Sequence, residues 1–149
     1  MPNEDVKPAA SSALGLTVLP APLAICRLDP LAATPAWAWE AREFLTISRT
    51  PTELSIVADE AAVPPELAAE RGYRALRVDG PLPLGMVGIF ARLAVPLAGA
   101  GVPIFPIATF DTDYLLVREN TLSQAIAALA RAGHRVTVGA SVLHPDLAS

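Results

Sequence analysis

Two glycines stand where a proline-containing loop gives way to an apolar helix. Gly85 and Gly88 follow Pro81 and Pro83, which favour extended backbone before the helix. The first N–H groups of a helix have no partner within it and carry the positive end of its dipole, so a start without side chains can seat a carboxylate. The spacing matches neither the dinucleotide fingerprint nor the phosphate loop, and on spacing alone we favour the alternative that Gly88 allows close packing against a strand.

Few side chains could perform covalent or acid–base chemistry. Cys26, the only cysteine, alternates like a strand residue and is interpreted as a buried thiol rather than a nucleophile. His134 follows the predicted end of a helix and His144 lies in a proline-containing segment, and neither has a serine, cysteine or carboxylate pair at a useful spacing. The sequence therefore predicts no catalytic residues, no metal site and no cofactor, and we expect that the protein is not an enzyme.

Composition narrows the class of protein. The chain has 149 residues, of which 52% are hydrophobic and 17% charged, which is typical of one compact domain or two small ones. The net charge is −4 and Lys7 is the only lysine beside ten scattered arginines, so we expect no nucleic-acid partner. The apolar runs are too short and too interrupted for a membrane span. Glu4 and Asp5 stand where a signal peptide would be basic, which predicts a cytoplasmic protein.

The second half of the chain has the clearer pattern of elements. From Arg74 the order is strand, helix, strand, strand, helix, strand, which is the split βαβ or ferredoxin-like arrangement. The first helix, over residues 86–98, is apolar on nearly all sides, so we expect that a neighbouring domain or subunit covers it and that the protein is a homo-oligomer. Its predicted buried face comprises Met86, Ile89, Phe90, Leu93 and Leu97. The second helix begins at an apparent capping box, Thr121 to Gln124, and ends at Gly133.

The first half reads as strand-rich. Residues 14–19 and 23–28 predict two strands of a hairpin that turns at Pro20-Ala21-Pro22. A further strand is predicted over residues 43–49. Thr50, Pro51 and Glu53 then resemble a helix start, which can extend only briefly because residues 55–58 return to β-type composition.

Several motifs carry a family resemblance. The run IFPIATFDTDYLLVRE, which follows GIFARLAVPLAGAGV, and the upstream FLTISRTPTELSIVADE resemble the ACT domains of the CASTOR-type family, small bacterial relatives of the eukaryotic arginine sensor. A more distant resemblance is to the regulatory ACT domains of aspartate kinases. The family resemblance covers residues 14–138, nearly the whole chain.

The resemblance implies an α+β fold with two ferredoxin-like (βαββαβ) ACT modules in tandem, the N-terminal one degenerate and strand-rich. The corresponding domains are a disordered tail at 1–12, a degenerate module at 13–70, a complete module at 71–140 and a C-terminal tail at 141–149. In such folds small effectors, usually amino acids, bind between modules, at the loop before the first helix of one and the strand edge that faces it.

The resemblance also maps a ligand site onto this sequence. The loop side consists of Leu84, Gly85, Met86, Val87, Gly88 and Ile89, and the facing hairpin consists of Thr109, Phe110, Asp111, Thr112 and Asp113. The helix start could hold an α-carboxylate, while Asp111 or Asp113 could pair with an ammonium group. The alternative for both aspartates is turn formation, in which the carboxylate bonds nearby backbone. We also expect Gly88→Ala to leave the melting temperature equal or higher.

Two functions of different class follow. The first is a regulatory module that binds a small molecule, an amino acid by preference, and passes the signal to a partner or through oligomerisation. The second is a ligand-free interaction or assembly domain with the same fold. A thermal-shift screen against amino acids discriminates between them.

Overall fold

A computed structural model of the chain describes residues 13–83 and 85–139. These residues cluster into two compact units, which we call the helical unit (residues 13–18 and 76–138) and the strand unit (residues 19–75 and 139). The strands are β1 (Gly15–Val18), β2 (Leu23–Leu28), β3 (Leu45–Arg49), β4 (Leu54–Asp59), β5 (Glu70–Val78), β6 (Phe105–Ala108), β7 (Asp113–Arg118) and β8 (Arg135–Val138). The helices are α1 (Ile89–Gly99) and α2 (Leu122–Arg131), and short 3₁₀ turns occupy Ala36–Glu40, Glu60–Ala62 and Glu119–Thr121.

The helical unit is a mixed sheet that carries both α-helices. Its strands lie in the order β8, β1, β5, β7, β6, and β1 is parallel to β8 but antiparallel to β5. Because α1 joins β5 to β6 while β7 lies between them, the unit contains the split βαβ motif expected from the sequence. The α+β class is thereby confirmed.

The core of the helical unit follows from two periodicities. Leu16 and Val18 alternate along β1, and Ile89, Leu93 and Leu97 recur every fourth residue along α1, so that strand and helix each present one apolar face. On α2 the buried residues are Ala125, Ala128 and Leu129, with Leu122 and Ile126 packed against the same cluster.

The strand unit has no α-helix among its described residues. Its strands lie in the order β3, β4, β2, β5, all in antiparallel pairs, and 3₁₀ turns stand where a ferredoxin-like module has helices. Its core is smaller, and its buried members are Ala24, Cys26, Ala38, Leu54, Ile56, Ala58 and Val63.

Two local predictions for the first half are wrong. β1 pairs with β5 and β8, whereas β2 pairs with β4 and β5, so the expected β1–β2 hairpin does not form. The apparent helix start at Thr50 is instead a turn between β3 and β4, in which Thr50 Oγ1 accepts the N–H groups of Thr52 and Glu53, each at 3.2 Å. A threonine at a helix cap and one at a turn use the same hydroxyl bond, so the local pattern could not distinguish them.

The predicted capping box before α2 is also wrong. Thr121 occupies the N-cap position but makes no capping bond, since its hydroxyl donates back to the Arg118 carbonyl at 2.9 Å. Gln124 extends to the Ala100 carbonyl at 2.6 Å, so its amide links α2 to the residue after α1. Among the described residues, neither helix is long and apolar enough to cross a membrane.

Candidate functional site

The turn between β6 and β7 is closed by threonines rather than by aspartates. The N–H and Oγ1 of Thr109 both donate to the Thr112 carbonyl, at 2.9 and 2.8 Å. Within the described residues the side chains of Asp111 and Asp113 make no hydrogen bond or ion pair. Their carboxylates are therefore not needed to close the turn, and the alternative in which they bond nearby backbone does not occur in this structure.

The same turn is fastened to the loop that follows β5. Thr112 is buried and its Oγ1 donates to the Val78 carbonyl at 2.6 Å. The Asp111 carbonyl accepts the N–H of Leu82 at 2.8 Å. These two bonds hold the turn against the loop that leads to α1, which is the juxtaposition expected from the sequence.

The start of α1 differs from the expected helix. The helix begins at Ile89, and Gly88 is the residue before it, with φ of +80° in the left-handed region. A Cβ at Gly88 would have no neighbour within 4 Å, so the close packing proposed for this glycine is not its role. Because left-handed backbone is costly for residues with a Cβ, the expectation that Gly88→Ala preserves stability is wrong.

The buried face of α1 is narrower than predicted. Ile89, Leu93 and Leu97 are buried, but Met86 is 43% exposed and Phe90 is 42% exposed. Met86 lies before the helix and so is not part of its stripe, and Phe90 is turned about 100° from Ile89 around the helix axis. Both side chains are available at the surface near the helix start.

A hollow of about 240 Å³ lies between the start of α1 and the β6–β7 turn. Seven of the residues predicted from the sequence line it: Met86, Ile89, Thr109, Phe110, Asp111, Thr112 and Asp113. Gly85, Val87 and Gly88 do not line the hollow, and Leu84 lies outside the described residues. Leu82, Pro83 and Ala108 also line it and were missed, although they adjoin the predicted segments and complete an apolar wall.

The charge in this hollow is of one sign. Asp111 and Asp113 contribute carboxylates, and no basic side chain is among the described lining residues. Asp113 is half-buried at the start of β7, whereas Asp111 is exposed at the tip of the turn. The hollow therefore offers apolar contact together with a site for a cationic group, and Ile89 places the first turn of α1 on its wall.

Cys26 and His134, two of the residues considered for catalysis, are both buried in the fold. Cys26 is buried, and desolvation raises the pKa of its thiol. The positive charge of Arg71 lowers this pKa by a smaller amount, so the net rise keeps the thiol protonated. His134 is buried as well; its Nδ1 accepts the N–H of Leu14 at 3.1 Å, and its Nε2 lies 3.3 Å from the Arg92 carbonyl. Both ring nitrogens thus have backbone partners.

Comparison with known families gives two matches along the chain. A model of the ACT domain matches residues 68–131. A second model, that of an N-terminal domain, matches residues 22–66.

Individual relatives agree with the family match. The cytosolic arginine sensor for mTORC1 subunit 1 of Bos taurus is 31% identical over 100 residues, which are 60% of this chain and 30% of the sensor. The chain thus spans less than a third of that relative. A crystal structure of an Agrobacterium tumefaciens protein is 35% identical, with a TM-score of 0.81 over 87% of this chain and 96% of the other.

The regulatory subunit of aspartate kinase from Thermus thermophilus shares the fold. Its structure has a TM-score of 0.50 and 15% identity, over 75% of this chain and 93% of that one. The match to the arginine sensor agrees with the ACT domain model, and the regulatory subunit shows the shared fold. The chain belongs to the ACT domain family and is CASTOR-like.

Proposed function

We propose that this protein is a regulatory module that binds a free amino acid in the helical unit and has no catalytic activity of its own. The observation that carries the proposal is the hollow between the start of α1 and the β6–β7 turn, where two segments distant in sequence meet. The arginine sensor and the aspartate kinase regulatory subunit among its relatives support a sensing role.

We also propose that the two units are ACT-like modules in tandem. In the strand unit the strands β2, β3, β4 and β5 have the same order relative to one another as β5, β6, β7 and β8 have in the helical unit, where β1 is an additional strand. The strand unit would then be a module in which 3₁₀ turns replace the helices, as the resemblance implied.

The lining of the hollow suggests which part of an amino acid lies where. Asp113 would accept the ammonium group, since charge-assisted hydrogen bonds to a half-buried carboxylate are the stronger kind. The N–H groups of the first turn of α1 would attract the α-carboxylate. Leu82, Met86 and Ile89 leave an apolar wall for the side chain, so we expect aliphatic amino acids to bind better than charged ones.

A thermal-shift screen against the common amino acids tests the proposal first. A ligand at a hundredfold excess over its Kd stabilises the folded state by about 2.7 kcal/mol, which a melting curve resolves readily. Calorimetry on the best ligand then compares Asp113→Asn with wild type. We expect affinity to fall by on the order of 1.5–3 kcal/mol, roughly 10- to 150-fold, while the melting temperature without ligand is unchanged.

Asp111→Asn is the matched control. It removes the same charge from the same turn at an exposed position, so we expect less than about a threefold loss of affinity. Equal losses in both variants would show a general charge effect rather than contact with Asp113. If no amino acid shifts the melting temperature, the alternative function, a ligand-free interaction or assembly domain, replaces this one.

A further inference from the structure

The strand unit contains a buried carboxylate held entirely by backbone. Asp59 is 8% exposed at the end of β4. Its oxygens accept the N–H groups of Arg42 at 2.8 Å, Glu43 at 3.0 and 3.2 Å, and Phe44 at 2.9 Å. Three consecutive N–H groups of the segment before β3 therefore point at one carboxylate.

This arrangement has the chemistry of an anion site. Successive backbone N–H groups that converge form a concavity with positive partial charge, which binds phosphates and carboxylates in many proteins. Hydrogen bonds from such groups to an ionised oxygen are stronger than those between neutral partners. The four contacts bring the carboxylate within ordinary hydrogen-bond distance of all three donors, and its burial limits competition from water.

We propose that the N–H groups of residues 42–44 form a carboxylate-binding site whose resident ligand is the chain's own Asp59. In the native protein the site is filled, so the strand unit accepts no free carboxylate there. Removal of the Asp59 side chain would open it to a small external carboxylate such as formate or acetate. These residues are separate from those proposed to bind the amino acid, so either proposal can fail without the other.

The surroundings of Asp59 give an external ligand a way in. A hollow of about 740 Å³ adjoins it, lined by Trp39, Glu40, Ala41, Arg42, Asp59, Ala61 and Ala62. Formate and acetate are much smaller than this hollow. An anion could therefore reach the three N–H groups once the aspartate side chain is gone.

Chemical rescue tests the site. Asp59→Ala should lower the melting temperature by roughly 10 °C, because one buried and two part-buried N–H groups lose their acceptor. Formate or acetate should then restore several degrees with a saturable dependence on concentration, while sodium chloride at the same ionic strength restores much less. Wild type should show no such difference between salts.

Asp29→Ala is the matched control for aspartate loss. The carboxylate of Asp29 accepts a single N–H, that of Leu31, at 2.8 Å on an exposed loop, so formate should not rescue Asp29→Ala beyond the chloride baseline. If Asp59→Ala responds to formate no more than wild type and Asp29→Ala do, the anion site is refuted.

Asp59→Asn keeps the test decisive if Asp59→Ala does not fold. The amide retains one oxygen acceptor but brings two donors and no charge, so we expect a lower melting temperature and no rescue, since the site is still occupied. A melting temperature equal to that of wild type would overturn the proposal. For an unfolded Asp59→Ala, the same comparison is made on the refolded fraction, which formate should raise above chloride.

Discussion

At Gly88 the backbone holds φ at +80°, and nothing lies within 4 Å of the position that a Cβ would take. The cost of a side chain there comes from the chain's own backbone rather than from a neighbour. We expect Gly88→Ala to lower the free energy of unfolding by about 1–2 kcal/mol. Gly85→Ala is the matched control, since a Cβ there also meets nothing and its φ is not positive. Equal melting temperatures for the two variants would contradict this account.

Thr112 is the second residue whose role can be measured. Its buried hydroxyl donates to the Val78 carbonyl at 2.6 Å, and Thr112→Val removes that donor while keeping the shape. We expect a loss of about 1–3 kcal/mol in denaturant unfolding. Thr109→Val should cost less, because the Thr112 carbonyl that accepts its hydroxyl also accepts the Thr109 N–H. A larger loss for Thr109→Val would argue against the buried bond as the fastening of the turn.

Much of the candidate site could be predicted at the residue level, since seven predicted residues line one hollow. The sequence could not assign the chemistry within the turn. Thr109 and Asp111 are both residues that bond local backbone, and only the structure shows that the threonine does so. The sequence also could not show that Met86 lies outside α1. The apolar helix period continues across Gly88 in the sequence, but the helical backbone begins only at Ile89.

At the scale of elements, α1 contains a proline whose effect a neighbour offsets. Pro96 has no N–H, so the carbonyl of Arg92, four residues earlier, receives no bond from it. Because Nδ1 of His134 is an acceptor, the proton of the neutral ring lies on Nε2, which donates to this carbonyl. His134 thus supplies the donor that the helix lacks.

A double-mutant cycle measures this replacement. His134→Ala should lower the free energy of unfolding by about 1–3 kcal/mol. In a Pro96→Ala background the loss should be smaller by roughly 0.5–1.5 kcal/mol, since an alanine at that position returns the helical N–H. Additive effects of the two substitutions would show that the Arg92 carbonyl does not link them.

The elements themselves were easier to predict than their partners. Local alternation placed the strands to within a few residues, and the apolar period located both helices. Pairing was not predictable from local pattern: the same alternation suits β1 whether it meets β2 or β5 and β8. The alternation along a strand shows which face is buried but does not specify which strand pairs with it.

At the scale of the whole molecule, an exposed apolar surface on α1 motivates a prediction of self-association. Phe90 and Val95 are exposed apolar residues of α1, Val87 is exposed just before the helix, and the exposed fraction of Val95 is 69%. Several large apolar side chains exposed on one short segment are a feature of interaction surfaces. We expect wild type to sediment as a homodimer or larger oligomer and Val95→Glu to sediment as a monomer. Leu31→Glu, at a more exposed apolar residue of the strand unit, should leave the oligomer intact. A wild-type monomer at all practical concentrations would refute self-association.

The order of the chain through the two units determines where a truncation or an excision can separate them. Residues 19–75 depart from the helical unit after Val18 and return at Leu76, and these two residues are opposite each other in the β1–β5 ladder. Residues 19–75 are thus an insertion whose two ends are attached at one rung of this ladder. A truncation that starts near residue 71 would discard β1 and with it the buried Leu16 and Val18. Excision of residues 19–75, with a two-residue hairpin turn in their place, would keep β1 in register with residues 76–78, the part of β5 that remains, which makes this rung a natural site for grafting one module into another.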